Sequence, residues 1–587
     1  MKQRALVWTP ILAGAAALGV ALVGLSPAGG ATASAGSPEP VAEVPVFAAG
    51  PEQQAGAAAF ADACNALRTA RLPNGEILSA QPVTAAMGAS FFPKSGFGPS
   101  PATAGTVLPA FCRVTARMSP VPGSRINVEV WLPGPADWNH RFLGTGNGGP
   151  GGAISYYSMV AGLLRGFAVA NTDLGTSPVT TKATIYPATA RPESAVDLGH
   201  RADHQMTLAA KALIRTFYRD DPSTSIFTGC STGGQEALAL AQRYPADYDG
   251  ILAGAPANNR THLHSYFLWN FMAQRAAGNS LTAAKLGMVH RRMLGTCAGK
   301  DGGLASDGFL TDPRQCKFDV HTLPRCAGNT DGPECLTQVQ FTALQKLQAG
   351  PTNPRTGERI FAGVPFGTEW SGVLAHGGEG WQNIDSYTWN WTFGHGYDYR
   401  RFDFDRDLDQ VDANSASYLN SNSADLGAFR DHGGKLILYT GTADPHIPYP
   451  DTLNYYERVI AANGGSLKAT QNFARYYFAP GMGHCGGGGT DGTGFGDFGQ
   501  AASVPAAIEN DVILQLVRWV ESGAEPAPIA LQHPAEGEKI TAQRPLCAYP
   551  AFPDYVGGDQ RKASSYRCVA HARGGVPVPA PRYLNAP

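Results

Sequence analysis

The chain has 587 residues, of which 43% are hydrophobic and 16% charged, so it can bury a large core and is long for a single domain. Its formal net charge is −2, which favours neither a nucleic-acid partner nor a strongly anionic surface. The 71 glycines and 44 prolines predict many turns and long irregular segments.

Residues 1–35 have the pattern of an export signal. Lys2 and Arg4 give a positive start, residues 5–25 are mostly apolar, and the small residues at 31–35 offer two cleavage sites. An uncleaved membrane anchor is the alternative, since the apolar run approaches the length that spans a bilayer. Alanine and glycine dominate that run, which favours cleavage. We therefore expect a secreted mature chain, extracellular or periplasmic, with no membrane attachment.

The chain contains ten cysteines, which in an exported protein predict five disulfides. Their number alone does not give the pairing. They are Cys64, Cys112, Cys230, Cys297, Cys316, Cys326, Cys335, Cys485, Cys547 and Cys568.

A glycine-rich run at 144–152 is the first candidate for a functional loop. It follows two strand-like segments, Ile126–Leu132 and Arg141–Leu143. Such a run can cradle a phosphate, but this one lacks the GK[ST] ending, and no GxGxxG helix start follows. In a hydrolase it supplies a backbone N–H to an oxyanion hole, and a plain loop is the other interpretation. A strand at Gly166–Asn171 and an amphipathic helix at Asp203–Arg219 come next.

The stretch 225–256 predicts a strand, a sharp turn, a helix and a second strand. Ser225–Thr228 is β-prone, Gln235–Tyr244 is helix-prone, and Gly250–Gly254 is apolar. Ser231 stands at the apex of the turn, with glycines two residues away on either side, where larger side chains would clash. This context predicts a nucleophile elbow with Ser231 as nucleophile, and a structural turn serine is the alternative.

Regular alternation of strands and helices stops after residue 258 and resumes near residue 435. The intervening segment holds four of the ten cysteines and five of the nine tryptophans. We therefore predict an α/β-hydrolase fold with a large inserted lid domain, and the end of the chain, 536–587, as a disulfide-stapled tail. The predicted divisions are 1–35 for the signal, 36–258 and 433–587 for the core, and 259–432 for the lid.

A serine nucleophile needs a neighbouring base and an orienting acid, which follow in the order Asp or Glu, then His, in this fold. Asp444 comes just after the strand-like Lys435–Tyr439, and an ordinary Asp-Pro turn is the alternative. His484 lies forty residues later among glycines, which predicts a surface loop and leaves a plain surface histidine as the alternative. His446 is too close to Asp444 to be the favoured base.

Two cysteines adjoin these candidates, because Cys230 precedes Ser231 and Cys485 follows His484. If Ser231 and His484 are in hydrogen-bond contact, their neighbours come within disulfide range, about 5–6 Å between Cα atoms. We therefore predict a Cys230–Cys485 disulfide that restricts the histidine loop. Buried free thiols are the alternative, and thiol catalysis by Cys230 is disfavoured because its side chain would point away from the apex.

Five segments resemble the tannase and fungal-type feruloyl esterase family, which also contains bacterial mono(2-hydroxyethyl) terephthalate hydrolases. They are WNHRFLGTGNGG at 138–149, the elbow at 229–234, GTADP at 441–445, GMGHC at 481–485 and RPLCAYP at 544–550. The family's hallmark is a Cys-Ser and a His-Cys pair joined by a disulfide, and both halves are present. The resemblance implies the triad Ser231, Asp444 and His484.

The resemblance also implies an oxyanion hole formed by the N–H of Thr232 and of a glycine in 146–149, Gly148 or Gly149. The family pairs its other cysteines mostly locally. Here that implies Cys64–Cys112, Cys297–Cys316, Cys326–Cys335 and Cys547–Cys568.

The family lid carries a structural calcium on an Asp-rich loop shortly after a cysteine, and residues 297–309 are the matching stretch. The usual loop is richer in aspartate, and Lys300 stands near an expected ligand, so a run of Asp-Gly turns is the alternative. The candidate ligands are the carboxylates of Asp301 and Asp307 and the backbone carbonyls near Leu304, Ala305 and Phe309. No organic cofactor is expected.

The lid segment 381–404 is dense in aromatic residues. Trp389 and Trp391 are candidates for a wall that stacks on an aromatic acyl group, although part of this segment must form lid core. Arg400 and Arg401 are candidates to pair with a carboxylate or phenolate of the substrate, with solvated surface charges as the alternative.

These residues predict an exported serine carboxylesterase that hydrolyses esters of hydroxycinnamic, gallic or related benzoic acids through an acyl-enzyme. A terephthalate monoester hydrolase is the close alternative, because only the lid separates the two. A catalytically inactive polyphenol-binding module is an alternative from another class, which the presence of all three triad positions disfavours. The expected partner is a small aromatic ester.

Overall fold

The structure, a computed structural model, describes most of the chain. The predicted export signal at 1–35 lies outside the described residues. These are 51–84, 108–149, 151–177, 192–275, 281–370, 372–373, 387–394, 396–486, 508–534 and 540–584.

A nine-stranded sheet forms the centre of the described part of the chain. Its strands are β1 (Gly75–Val83), β2 (Phe111–Met118), β3 (Ile126–Pro133), β4 (Arg141–Thr145), β5 (Ala168–Thr172), β6 (Thr224–Cys230), β7 (Gly250–Gly254), β8 (Lys435–Gly441) and β9 (Ala474–Ala479). The spatial order is β1-β2-β3-β5-β4-β6-β7-β8-β9. β1, β2, β3 and β5 pair antiparallel, and the pairs from β5 through β4 to β9 are parallel.

Helices cover both faces of this sheet, as a parallel sheet requires. The described helices are α1 (Pro51–Ala66), α2 (Tyr156–Leu163), α3 (Glu193–Val196), α4 (Ala202–Tyr218), α5 (Thr232–Arg243), α6 (Arg260–Arg275), α7 (Ala283–Cys297), α8 (Gln338–Ala349), α9 (Tyr387–Phe393), α10 (Arg406–Val411), α11 (Ser417–Leu419), α12 (Gly427–Asp431), α13 (Tyr449–Ala462), α14 (Leu467–Gln471), α15 (Val512–Ser522) and α16 (Pro581–Leu584).

Two buried apolar clusters lie on the two faces of the sheet. Successive side chains of a strand point to opposite faces, so Ile226 and Phe227 of β6 belong to different clusters. Helices α2 and α15 contribute to the cluster that contains Ile226. Helices α4, α5 and α13 contribute to the cluster that contains Phe227. This layered arrangement is the predicted α/β class.

The strands predicted near the central motif are present with small changes at their ends. Helix α5 begins at Thr232, three residues before the predicted start at Gln235. Gly233 and Gly234 are part of this helix. A Cβ at Gly233 would lie only 3.0 Å from the carbonyl oxygen of Asn147, so the helix packs closely on the glycine-rich turn. The two glycines therefore mark close packing of a helix, where the sequence indicated a turn.

The long segment between β7 and β8 leaves the sheet and returns to it. β7 and β8 are parallel neighbours, with Gly254 opposite Tyr439. Within the described residues, this segment adds helices α6 to α12 and no strand to the sheet. The predicted lid, 259–432, falls inside this interval.

The end of the chain forms two small antiparallel sheets. β10 (Ile529–Pro534) pairs with β11 (Ile540–Leu546), and β12 (Ala551–Tyr555) pairs with β13 (Tyr566–Ala570). The disulfide Cys547–Cys568 joins the second pair to the segment after β11. Among the described residues, no helix combines the length and apolar character needed to cross a bilayer.

Candidate active site

The carboxyl ends of three parallel strands bring the candidate residues to one edge of the sheet. β6 ends at Cys230, just before Ser231, and β8 and β9 end shortly before Asp444 and His484. In open α/β sheets this edge is the usual place for a ligand site.

Ser231 occupies a strained turn between β6 and α5. Its backbone has φ 64° and ψ −116°, a region that residues with a side chain rarely adopt. Two backbone hydrogen bonds hold it there: Ser231 N–H donates to Gly254, and Ser231 C=O accepts from Ala257, both at 3.0 Å. Strain of this kind is typical of a nucleophile elbow.

The glycines around the turn are required by close packing. A Cβ at Gly229 would lie 2.5 Å from the carbonyl oxygen of Gly233, which is closer than real side chains approach. Helix α5 therefore packs directly on the end of β6, and the half-buried Ser231 stands at the turn between them.

Asp444 and His484 are in direct contact. Nδ1 of His484 lies 2.8 Å from Oδ2 of Asp444. Oδ1 of Asp444 accepts from the backbone N–H groups of His446 and Ile447 at 2.8 and 3.0 Å. The Asp444 side chain is fully buried, whereas the His484 ring is one-quarter exposed. The aspartate therefore fixes the ring orientation from the protein side and leaves Nε2 facing away from it.

His446 packs on His484 and does not replace it. The two rings meet edge to face with centroids 5.1 Å apart. Burial, and to a smaller extent the nearby His484, lower the pKa of His446 to about 4. At neutral pH His446 is therefore an uncharged neighbour of the candidate base.

A disulfide connects the two loops that carry Ser231 and His484. Cys230 and Cys485 are bonded, with Cα atoms 5.8 Å apart and a chain separation of 255 residues. This bond limits how far the histidine loop can move from the elbow. The other disulfides in the structure are the pairs that the resemblance implies: Cys64–Cys112, Cys297–Cys316, Cys326–Cys335 and Cys547–Cys568.

The glycine-rich turn after β4 lies against the N-terminus of α5. Gly233 N–H donates to the carbonyl of Asn147 at 2.7 Å, and the Thr232 hydroxyl donates to the carbonyl of Gly149 at 2.5 Å. As the first residue of α5, Thr232 has an N–H without an acceptor inside the helix. The structure thus joins Thr232, which follows Ser231 in the chain, to Gly149, and the oxyanion role of Thr232 and of Gly148 or Gly149 stays a prediction.

The lid candidates occupy different environments. Trp389 is only 1% exposed and packs on Phe402, with ring centroids 4.6 Å apart. Trp391 is partly buried. Arg400 and Arg401 are exposed, and Arg400 pairs with Asp398 at 3.2 Å. Trp389 thus contributes to the lid core, and the contact of these four residues with a substrate stays a prediction.

The candidate calcium loop holds an internal ion pair. The Arg544 guanidinium donates to both carboxylate oxygens of Asp307 at 2.6 and 2.9 Å, and both side chains are 6% exposed. Asp301 accepts from the backbone N–H groups of Thr311 and Gly303. In the described part of the chain, no group of three or more His, Cys, Asp or Glu side chains is arranged to hold a metal.

These residues therefore do not fit a calcium ion. Calcium prefers six to eight oxygen ligands, several of them carboxylate, whereas this loop offers two carboxylates, one of them paired with a guanidinium. The carbonyls near Leu304, Ala305 and Phe309 do not supply the missing charge.

Two buried residues beside the elbow escaped the sequence reasoning. Arg260, 3% exposed, donates to the Thr232 hydroxyl at 3.0 Å and to Oε1 of Gln235 at 2.8 Å. Glu236, fully buried in α5, accepts from the N–H of Asn147. For Glu236, the sequence did contain a signal: it is a charged residue within two turns of the predicted nucleophile, on a helix that must pack against the sheet.

Comparison with known proteins agrees with this geometry. A family profile described as tannase and feruloyl esterase matches residues 112–569. An uncharacterised esterase of Xanthomonas campestris pv. campestris is 35% identical over 564 residues, covering 89% of this chain and 94% of that protein. A probable feruloyl esterase B of Emericella nidulans is 31% identical over 475 residues, covering 78% of this chain and 86% of that protein.

The crystal structure of feruloyl esterase B from Aspergillus oryzae is also similar. It matches with a TM-score of 0.76 and 25% identity, covering 87% of this chain and all of that chain. The predicted α/β-hydrolase fold is thereby confirmed, as is the resemblance to this family. This chain belongs to the tannase and feruloyl esterase family, and it is an esterase of that family.

Proposed function

We propose that this protein is an exported serine carboxylesterase that hydrolyses esters of aromatic acids through an acyl-enzyme. The observation that carries the proposal is the connection of a strained Ser231, through the Cys230–Cys485 disulfide, to a histidine held by Asp444. A nucleophile, a base and an orienting acid in this chain order are the parts that the reaction needs.

The hydrogen bond to Asp444 sets the state of the base. Nδ1 of His484 carries the proton and donates to Oδ2 of Asp444, so Nε2 has a lone pair for the Ser231 hydroxyl. His484 removes that proton as Ser231 attacks the ester carbonyl. Asp444 then stabilises the imidazolium and keeps it oriented.

The oxyanion forms where the elbow meets the glycine-rich turn. Donors at this point are the N–H of Thr232 and the N–H of Gly148 or Gly149, which contacts between the turn and α5 hold near Ser231. Such fixed dipoles stabilise the tetrahedral intermediate more than they stabilise the ester. Protonated His484 releases the alcohol, and water then hydrolyses the acyl-enzyme by the same route.

Two observations support an aromatic acyl group in the substrate. It is supported by relatives named feruloyl esterase, since ferulic acid is a phenolic cinnamic acid. The aromatic lid segment is a second support, with Trp389, Trp391, Arg400 and Arg401 as the residues proposed to contact the substrate. Export is supported by the residue pattern at 1–35 and by the five disulfides.

Ser231→Ala is the direct test. We expect wild-type protein to hydrolyse methyl ferulate or methyl gallate faster than p-nitrophenyl acetate relative to background, and to react with a fluorophosphonate probe. Ser231→Ala should reduce kcat by about 10⁶-fold and abolish labelling, because the nucleophile is lost. Thermal melting should be nearly unchanged, since Ser231 is a small side chain at a turn.

The matched control is Ser522→Ala, which removes an exposed hydroxyl at the end of α15. It should leave turnover and labelling unchanged. Wild-type protein that neither reacts with the probe nor hydrolyses any ester would favour the inactive polyphenol-binding module. Preference for mono(2-hydroxyethyl) terephthalate over feruloyl and galloyl esters would favour the terephthalate alternative.

A further inference from the structure

A pair of buried carboxyl groups lies beneath the glycine-rich turn that follows β4. Glu236 is on the second turn of α5, and Asp203 is on the first turn of α4. Both residues are 0% exposed. The mechanism above uses neither, although buried carboxyl groups are rare unless a partner compensates for lost hydration.

Glu236 holds the turn directly. The N–H of Asn147 donates to the two carboxyl oxygens of Glu236 at 3.1 and 3.3 Å. The Asn147 carbonyl accepts from Gly233 N–H at 2.7 Å, and its side-chain amide donates to the carbonyl of Thr172 at 2.6 Å. The backbone N–H and the backbone carbonyl of Asn147 are therefore both held by residues of α5, Glu236 and Gly233.

The carboxyl groups of Asp203 and Glu236 are close enough that each shifts the pKa of the other. Apart from Glu236, no other described residue donates an N–H or hydroxyl to either carboxyl oxygen of Asp203. Two touching carboxylates cannot both be ionised in a buried site. One proton must therefore lie between them, and a Glu236 hydroxyl that donates to Asp203 satisfies both groups.

The surrounding charges agree with this protonation. Burial, followed by the adjacent Asp203, raises the pKa of Glu236 well above its usual range. Arg260 opposes this shift but does not cancel it. Burial also raises the pKa of Asp203, and its contact with Glu236 opposes that shift. The phenols of Tyr244 and Tyr248, which also face Asp203, stay neutral because burial raises the pKa of each.

These contacts determine which backbone N–H groups of the turn already have an acceptor. Gly146 N–H donates to the carbonyl of Thr228 at 2.8 Å, and Asn147 N–H donates to Glu236. The next N–H groups along the chain are those of Gly148 and Gly149, the proposed oxyanion donors. A Cβ at Gly146 would lie 2.9 Å from Oε2 of Glu236, so the turn approaches the carboxyl as closely as a glycine permits.

We propose that Glu236, kept protonated by its contact with Asp203, is a positioning residue that aims the oxyanion turn at the reacting carbonyl. This inference rests on the proposed esterase function. Glu236 acts through the Asn147 peptide and does not touch the substrate. Its loss should therefore affect kcat more than KM, because the oxyanion forms only as the reaction proceeds.

Two substitutions separate positioning from simple packing. Glu236→Gln has an amide oxygen that accepts from Asn147 N–H and an NH₂ that donates to Asp203, so it imitates the protonated carboxyl. We expect it to keep kcat within about 3-fold of wild type. Glu236→Leu fills similar space but leaves the Asn147 N–H without an acceptor. We expect its kcat for methyl ferulate to fall by about 10–100-fold, below the loss of a complete oxyanion donor, with KM within about 3-fold.

Asp451→Asn is the matched control. Asp451 is another buried carboxyl whose pKa burial raises, in this case to about 7, but it lies on α13. Its substitution should leave kcat and KM unchanged. Circular dichroism melting of every variant should establish that the folded protein is being assayed.

Several results would overturn the proposal. A folded Glu236→Leu with wild-type kcat would contradict the positioning role. A folded Glu236→Gln with a kcat as low as that of Glu236→Leu would contradict the shared proton. If Glu236→Leu does not fold, the pH profile decides. Wild-type kcat should then fall at alkaline pH as the pair loses its proton, whereas Glu236→Gln should not, and identical profiles would contradict us. Wild-type protein that fails to react with the fluorophosphonate would refute the proposed serine mechanism itself, and the inference with it.

Discussion

Asp444 and Asp307 are two buried carboxylates with similar local construction and different long-range partners. Each accepts from backbone N–H groups a few residues away: Asp444 from His446 and Ile447, and Asp307 from Leu304. Asp444 then meets an imidazole across 40 residues, and Asp307 meets the guanidinium of Arg544 across 237 residues. An imidazole can exchange a proton near neutral pH, whereas a guanidinium keeps its charge.

This difference shows how one side-chain type serves two purposes. The Asp444 contact opens to the edge of the sheet through the partly exposed His484 ring. The Asp307 contact is enclosed, because the Arg544 guanidinium lies 4.9 Å from the ring centre of Phe309 and 4.8 Å from that of Tyr566. The first carboxylate should therefore control turnover, and the second should control how firmly the 297–309 loop is held to the tail.

Asp444→Asn should have the largest effect. The amide can still accept from the two backbone N–H groups, but its NH₂ faces Nδ1 of His484 and favours the wrong tautomer. We expect kcat to fall by about 10⁴-fold with little change in melting temperature. Asp431→Asn, at an exposed ion pair, is the control and should keep full activity. If Asp444→Asn instead lowers the melting temperature and keeps its turnover, Asp444 has a structural role like that of Asp307.

Arg544→Met should give the opposite result. It leaves Asp307 buried without its cation, which should lower the free energy of unfolding by about 3–5 kcal/mol, as measured by denaturant titration. Turnover of the remaining folded protein should stay within about 3-fold of wild type. The double variant Asp307→Asn with Arg544→Met should recover most of the loss, because no unpaired charge remains.

The exposed Arg430→Met serves as the control for Arg544→Met, with an expected change within about 0.5 kcal/mol. If the double variant is as unstable as Arg544→Met, packing of the arginine on Phe309 and Tyr566 matters more than its charge.

The smallest effect should come from calcium. Since Arg544 already neutralises Asp307, we expect neither EDTA nor millimolar CaCl₂ to move the melting temperature by more than about 1 °C, and no stoichiometric calcium in the purified protein. Stabilisation by several degrees on adding calcium would mean that the loop binds the ion despite its arginine. Asp307 would then be a metal ligand, and its contrast with Asp444 would be one between a metal site and a catalytic acid.

Much of the fold follows from local patterns in the sequence. The elbow was recognisable because a β-prone run, a glycine-flanked serine and a helix-prone run stand in immediate succession at 225–244. The strand near Lys435 and the loop residues after it were recognisable for the same reason. The pairing of Cys230 with Cys485 was predictable because each adjoins a residue whose partner was already inferred from chemistry.

The remainder depends on contacts between distant segments. Glu236 looks like an ordinary polar residue of an amphipathic helix, and only the position of Asp203 on another helix makes the pair visible. Asp307 resembles a metal ligand until Arg544, from the end of the chain, is placed beside it. Helix α5 begins earlier than predicted because glycines at 233 and 234 serve close packing in place of a turn.

The adjacency of β7 and β8 has a consequence for how selectivity can change. Their parallel ladder runs from Gly250 to Gly254 and from Lys435 to Tyr439, so the hydrogen bonds of the sheet close behind the excursion between them. The segment between the two strands can therefore change in length or composition without breaking a hydrogen bond between them. Changes of length or composition in that segment therefore need not disturb the strands that carry the candidate catalytic residues.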